Sequence, residues 1–225
     1  MVRESYQNKL DELRGAVVDL GNDVLRQLDH GLTAFEDADG DLGKSVIDGD
    51  EAINERYLDL EADCIDLFAL QQPVASDLRF VASSFKILTD LERVGDLASN
   101  FAGYALVEGH EDELSVDVSH IGRDAMDMVE EALIAYEIED LELCYEVAER
   151  DDEIDTLCQH ASEQIVRDLI EREHGADDTW AVERLLDDVS RLLLTIRDIE
   201  RVGDHAVNIA ARTLYMIEQD SDLIY

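Results

Sequence analysis

The sequence predicts an all-α protein built as two tandem antiparallel three-helix bundles. Three observations predict it. Apolar residues recur at steps of three and four along nearly the whole chain, the spacing of one helix face. One proline is present in 225 residues, and no sustained apolar–polar alternation marks a strand. A heptapeptide occurs twice, as Asp90-Leu91-Glu92-Arg93-Val94-Gly95-Asp96 and Asp198-Ile199-Glu200-Arg201-Val202-Gly203-Asp204, 108 residues apart and differing only by Leu for Ile. Repetition on this scale is the mark of a duplicated supersecondary unit.

The first helix is predicted from about Tyr6 to Glu36, with Leu10, Leu13, Val17, Leu20, Val24, Leu28 and Phe35 on one face. Glu36-Asp37-Ala38-Asp39-Gly40-Asp41 reads as a loop. A second helix runs from about Leu42 to Gln71, with Ile53, Tyr57, Leu60, Cys64 and Leu67 inward, and Gln72-Pro73 interrupts it. The third continues to about Leu106. Glu108-Gly109-His110-Glu111-Asp112, polar and near the middle, is the natural boundary between units at 1–108 and 115–225. The plan then repeats. A fourth helix carries Ile121, Ala125, Met128, Ala132 and Ala135, and its Leu133, Ala135 and Tyr136 match Leu32, Ala34 and Phe35 at an offset of 101. A fifth spans about Leu141 to Glu171, and His174-Gly175-Ala176-Asp177-Asp178 breaks it. Trp180, read as a packing residue, begins a sixth that ends near Glu218. Helices of this length make the legs of an elongated bundle.

The chain carries 56 Asp and Glu against 18 Lys and Arg, with only Lys9, Lys44 and Lys86 as lysines. At 46% apolar composition it has material for a core, so the charge is a solvated surface rather than disorder. Such a surface self-repels and needs salt to screen it, which points to a high-salt cytoplasm. It disfavours nucleic acid and anionic membrane, both of which select clustered Lys and Arg. No apolar run is long enough to span a bilayer, and Met1 to Leu10 does not read as a signal peptide. Cys64, Cys144 and Cys158 form no CxxC. Cys64 and Cys158 fall on apolar stripes, as buried thiols in a reducing compartment do.

The chemistry gathers where acids enter those stripes. In the third helix the stripe reads Leu78, Val81, Phe85, Leu88, Glu92, Gly95, Ser99, Ala102, Leu106; in the sixth it reads Leu186, Val189, Leu193, Ile196, Glu200, Gly203, Val207, Ala210, Leu214. A glutamate therefore stands in each seam, with Asp96 or Asp204 one turn later. The preceding helices carry Asp50 and Asn54, and Asp151 and Asp155, also four apart. Folding each hairpin brings the pairs level, so each unit presents four oxygen-bearing side chains. Like charges about 6 Å apart repel by roughly 3 kcal/mol at an effective dielectric near 20. Proton uptake, arginine pairing or a metal ion would relieve that. Arg93 and Arg201 follow the glutamates but stand about 100° around the helix, which favours metal over an ion-pair network. The second site has four carboxylates and the first has three plus the Asn54 carbonyl. All-oxygen ligands suit Mn, Mg or Fe; His205 beside Asp204 offers nitrogen for Fe or Zn, but the next residue along a helix usually points elsewhere. Gly95 and Gly203 mark a close approach of a helix or ligand.

The two heptapeptides, with the run from Ile199 through His205-Ala206-Val207-Asn208-Ile209-Ala210, resemble the signature of the PhoU family of phosphate-transport regulators. Gln71-Gln72-Pro73-Val74-Ala75-Ser76-Asp77-Leu78-Arg79 resembles that family's interhelix hairpin. The resemblance covers essentially the full chain. It implies tandem three-helix bundles whose paired acidic motifs bind clusters of divalent or trivalent metal (Fe, Mn, Zn or Mg). The matching ligand positions are Asp50, Asn54, Glu92 and Asp96, and Asp151, Asp155, Glu200 and Asp204. It also implies a cytoplasmic, non-enzymatic regulator that forms a homodimer. Such a regulator restrains phosphate uptake through the transporter's ATPase subunit and, in bacteria, acts on a phosphate-sensing histidine kinase. Asn54 in place of an acid, and the absence of Gln-Gln-Pro from the second hairpin, depart from the pattern. Two other readings compete: a ferritin-like di-iron enzyme, for which Glu171-Arg172-Glu173-His174 is the one Glu-x-x-His candidate, and a structural helical adaptor.

Overall fold

The computed structural model describes residues 2–70, 74–106, 117–173 and 179–219, together with Leu223. They form six helices: α1 (Val2–Glu36), α2 (Gly40–Leu70), α3 (Ala75–Ala105), α4 (Ser119–Ile138), α5 (Leu141–Glu173) and α6 (Thr179–Glu218). There is no strand among the described residues. The connections at Gln71–Pro73, Glu108–Asp112 and His174–Asp178 lie outside them, as does the side chain of Trp180.

The helices fall where apolar periodicity places them, with one correction. The first loop is shorter than Glu36–Asp41, because α2 already begins at Gly40. Asp39 supplies the start signal. Its carboxylate accepts from the backbone N–H of Asp41 at 3.1 Å and of Leu42 at 3.0 Å, satisfying donors that a helix start leaves unpaired. Ala38 before it turns the chain with φ at 48°. The second repeat uses the same device: Glu139 has φ at 59°, and Asp140 accepts from Glu142 at 3.0 Å and Leu143 at 3.2 Å.

Within each repeat the three helices pack on one another. α1 also lies against α4 and α3 against α6, while α2 and α5 touch only their own repeat. The core therefore runs without a break from Leu10, Val17 and Leu28 through Leu91 and Phe101 to Met128, Ile199 and Ile209. The contact between repeats is reciprocal. Gly21 leaves room for Leu133, and Gly122, 101 positions on, leaves room for Leu32. A Cβ would stand 2.5 Å from the Leu133 side chain in the first case and 2.8 Å from that of Leu32 in the second. Cys64, Cys144 and Cys158 are all buried free thiols.

Gly15 and Gly49 differ from these, because an added Cβ meets nothing within 4 Å. Each lies mid-helix, where glycine costs about 0.5–1 kcal/mol against alanine. Gly15→Ala and Gly49→Ala are each expected to raise the free energy of unfolding by that amount, read from urea titrations at fixed molar salt. A loss of stability would mean that these faces pack against something.

Candidate metal centre

Both predicted sets of side chains are brought together. In the first, α2 supplies Asp50 and Asn54, and α3 supplies Glu92 and Asp96. Asn54 Nδ2 donates to Asp50 Oδ2 at 2.9 Å, and the charges of Asp96 and Asp50 both act on Glu92. In the second, α5 supplies Asp151 and Asp155, and α6 supplies Glu200 and Asp204. All three neighbours bear electrostatically on Asp151.

The glutamates do not stand deep in the seam. Glu92 is half-buried and Glu200 is exposed, as are Asp155 and Asp204. The buried arc of α6 is turned by about one residue from the predicted stripe, so that Asp198, Ile199, Val202 and Ala206 are covered while Leu186 and Glu200 face outward. The cause is the other repeat: α3 packs on α6 and covers a face that a lone three-helix bundle would leave wet. The carboxylates thus line the rim of each α2–α3 or α5–α6 groove.

Asp151 is the exception. Its Oδ1 is buried and has no hydrogen-bond partner, and a Cβ on Gly203 would lie 2.9 Å from it. Gly203 is therefore the close approach that its position in the motif predicts, and what approaches is a carboxylate oxygen. Gly95 does not match it, since a Cβ there would meet Ile53 at an ordinary 3.7 Å. Burial first, then the charges of Asp155, Asp204, Asp152 and Glu200, push the Asp151 carboxyl up to about 6. Burial and neighbouring acids also raise Asp155 and Glu200.

The two sites differ in how they handle charge. In the first, Asp50 Oδ1 accepts from Gln27 Nε2 at 3.0 Å and from Ser99 Oγ at 3.3 Å, while Arg93 stands 3.4 Å from both Glu92 and Asp96. Contrary to the helical-wheel reading, Arg93 thus reaches its own site's carboxylates. Gln27, Ser99 and Glu61, whose charge also reaches Glu92, were not singled out in the sequence. Gln27 comes from α1 and is only 8% exposed; its counterpart at an offset of 101 is Met128. A polar residue facing a methionine in the aligned stripes was the available signal. The second site has Met128 and Val207 where the first has Gln27 and Ser99.

His205 turns away from the ligand role considered for it. Its Nδ1 lies 2.9 Å from Asp90 Oδ1 across the α3–α6 contact. Asp198, the equivalent of Asp90, is likewise committed to that contact. It accepts from Asn100 at 3.1 Å and Tyr104 at 2.8 Å on α3, and is flanked by Arg197 and Arg201. The first aspartate of each heptapeptide therefore joins the repeats, and the glutamate and last aspartate form the rim.

Among the described residues, no three His, Cys, Asp or Glu side chains stand close enough to hold one ion as they are placed. The second site nevertheless fits a hard cation by its donor set and by the unpartnered Asp151 oxygen. Its other three carboxylates are exposed. The first fits less well, because side-chain hydrogens already occupy both oxygens of Asp50.

The raised Asp151 carboxyl sets a pH dependence. Its folded value, about 6, lies above the unfolded value near 3.8, so folding takes up protons between them and stability falls as pH rises through that window. Asp155, Glu200 and Glu92 shift in the same direction. The urea midpoint in chelator is expected to drop from about pH 4 to just above pH 6. Saturating Mn2+ should lift it at the upper end. A midpoint that climbs across this range in chelator would contradict the site.

An all-helical chain of two three-helix repeats, each with an acidic groove between its last two helices, defines a class of tandem helical proteins. The PhoU domain profile matches residues 17–105 and 118–213. A phosphate-specific transport system accessory protein PhoU homolog from Pseudomonas aeruginosa is 33% identical over 219 residues, covering 96% of this chain and 86% of that one. The accessory protein PhoU of Escherichia coli K12 is 30% identical over 217 residues, covering 95% and 85%. The crystal structure of PhoU from P. aeruginosa superposes with a TM-score of 0.85, spanning 96% of this chain and all of that one at 33% identity. The phosphate transport system regulatory protein PhoU from Streptococcus pneumoniae gives a TM-score of 0.83 at 26% identity, over 96% and 98% of the two chains. The chain belongs to the PhoU family.

Proposed function

We propose that this protein is a metal-loaded accessory regulator of phosphate transport, acting in the cytoplasm by protein contact. Its relatives' names as accessory and regulatory proteins of phosphate transport systems support the first part. No described helix is long and apolar enough to cross a membrane. The contact is with the cytoplasmic ATPase subunit of a phosphate transporter, whose activity it restrains. A phosphate-sensing histidine kinase is a further partner where the host has one, and the regulator works as a homodimer in a high-salt cell.

Metal loads chiefly at Asp151, Asp155, Glu200 and Asp204, and more weakly at Asp50, Asn54, Glu92 and Asp96. The observation that carries this is the buried Asp151 oxygen, unpartnered among four acids. Two divalent ions, Mn or Fe, would balance the four carboxylates and fix the α5–α6 groove. Elemental analysis of protein purified without chelator tests it. Glu200→Ala with Asp204→Ala is expected to remove most of the metal and leave the helical signal intact, since both side chains are exposed. Unchanged metal content would mean other ligands. Pull-downs at molar salt from phosphate-rich and phosphate-poor cells test the ATPase contact.

A further inference from the structure

The arginines of the two heptapeptides are not ligands in the quartets, although Arg93 contacts two carboxylates of the first, and they end in one place. Arg93 from α3 and Arg201 from α6 line a single cleft of about 550 Å³ at the junction of the repeats, with His205, Asn208, Asp151 and Asp204. In a chain with 18 Lys and Arg against 56 acids, two guanidinium groups and an amide in one concavity are a concentration of donors. We infer that this cleft binds a tetrahedral oxyanion, inorganic phosphate, which the two arginines hold against a cation on Asp151 and Asp204. The inference rests on the metal reading above and names what the metal site responds to.

Neither arginine is held fast by its present neighbours. Arg93 is 52% exposed and reaches Glu92 and Asp96 only at 3.4 Å. Arg201 is 42% exposed and makes a single 3.4 Å contact with Asp198. That aspartate is already served by Arg197, Asn100 and Tyr104. A guanidinium has five donors in a planar fork that matches two oxygens of a phosphate. Another cleft with two arginines, of about 640 Å³ and lined by Arg26 and Arg56, differs on this point. There both arginines close tightly on Asp23.

Asp151 and Asp204 decide when the cleft opens to an anion. Bare, their charges repel it; a divalent cation on them balances those charges and offers the anion a coordination position beside the arginines. Phosphate and metal must then bind cooperatively, each raising the other's affinity by the same factor.

The test is calorimetric titration of inorganic phosphate into the full chain in molar KCl, with Mn2+ content measured on the same sample. Phosphate should bind the Mn2+-loaded protein and give no heat in chelator. Arg93→Ala and Arg201→Lys should keep their Mn2+ and lose about tenfold or more in phosphate affinity, because each removes charge-assisted hydrogen bonds. Arg93→Ala is the safer variant for folding, since its side chain is half in solvent. Mn2+-loaded protein that binds no phosphate, or variants that bind it as tightly as the parent, would overturn the cleft and leave the metal site standing. Failure of the parent to take up Mn2+ at all would overturn both.

Discussion

Replacing Asp198 by alanine is expected to lower the free energy of unfolding by about 3 kcal/mol. The side chain is wholly buried, at 0% exposure, where a carboxylate is tolerated only if every oxygen is served. One oxygen takes Asn100 and Tyr104 from the other repeat, and the other faces Arg197 and Arg201. Truncation removes the acceptor shared by the half-buried Tyr104 hydroxyl and the Asn100 amide across the α3–α6 contact. The arginines, both substantially exposed, return to water, which keeps the loss below that of a fully buried ion pair. A second readout separates this from a general packing defect. Burial, and then its hydrogen bond to Asp198, push the Tyr104 phenol up to about 12. In the variant it should ionise closer to the ordinary value of 10, visible in ultraviolet absorbance on alkaline titration. Metal content should not change, because Asp198 is no part of the rim. A variant as stable as the parent would show that the repeats are held together by apolar packing alone.

Gly31→Ala is expected to cost about 2–3 kcal/mol, the upper part of the range for forcing atoms into a packed core. The added Cβ would lie 2.5 Å from the carbonyl oxygen of Ala98 and 3.2 Å from its carbon. That obstacle is backbone, so no rotamer change relieves it, and α1 must move off α3 through the centre of the first repeat. The gain in helix propensity, about 1 kcal/mol, offsets only part of this. Gly43→Ala meets the Ala102 carbonyl oxygen at 2.7 Å and should lose less. The second repeat carries Ala132 at the position matching Gly31. Urea unfolding of Gly31→Ala beside Gly49→Ala gives effects of opposite sign if the model of close helix approach is right. Two variants that both gain stability would refute it.

The six helices and their duplication were legible in the sequence because one period, 3.6 residues, governs the chain from Leu10 to Leu214. The pairing of acidic positions on neighbouring helices was legible for the same reason, since a four-residue step on each partner helix fixes which side chains share a groove. Asp39 and Asp140, at positions 101 apart, were equally readable as helix starts, although the acids around Asp39 also read as a loop. Gln27 was harder to find. It lies outside the heptapeptides, and its bond to Asp50 spans two helices whose rotation no local pattern states.

The amino-acid order by itself determined the secondary structure, the twofold plan and the gathering of carboxylates, because all three follow from spacing along single helices. Only the tertiary structure decided that Asp198 is buried and Glu200 exposed, that Asp90 and Asp198 join the repeats, and that Arg93 and Arg201 share a cleft. Each of these depends on the packing of α3 against α6. Successive residues differ by 100° around a helix, so a neighbour on one more side changes which of two adjacent positions is sealed from water.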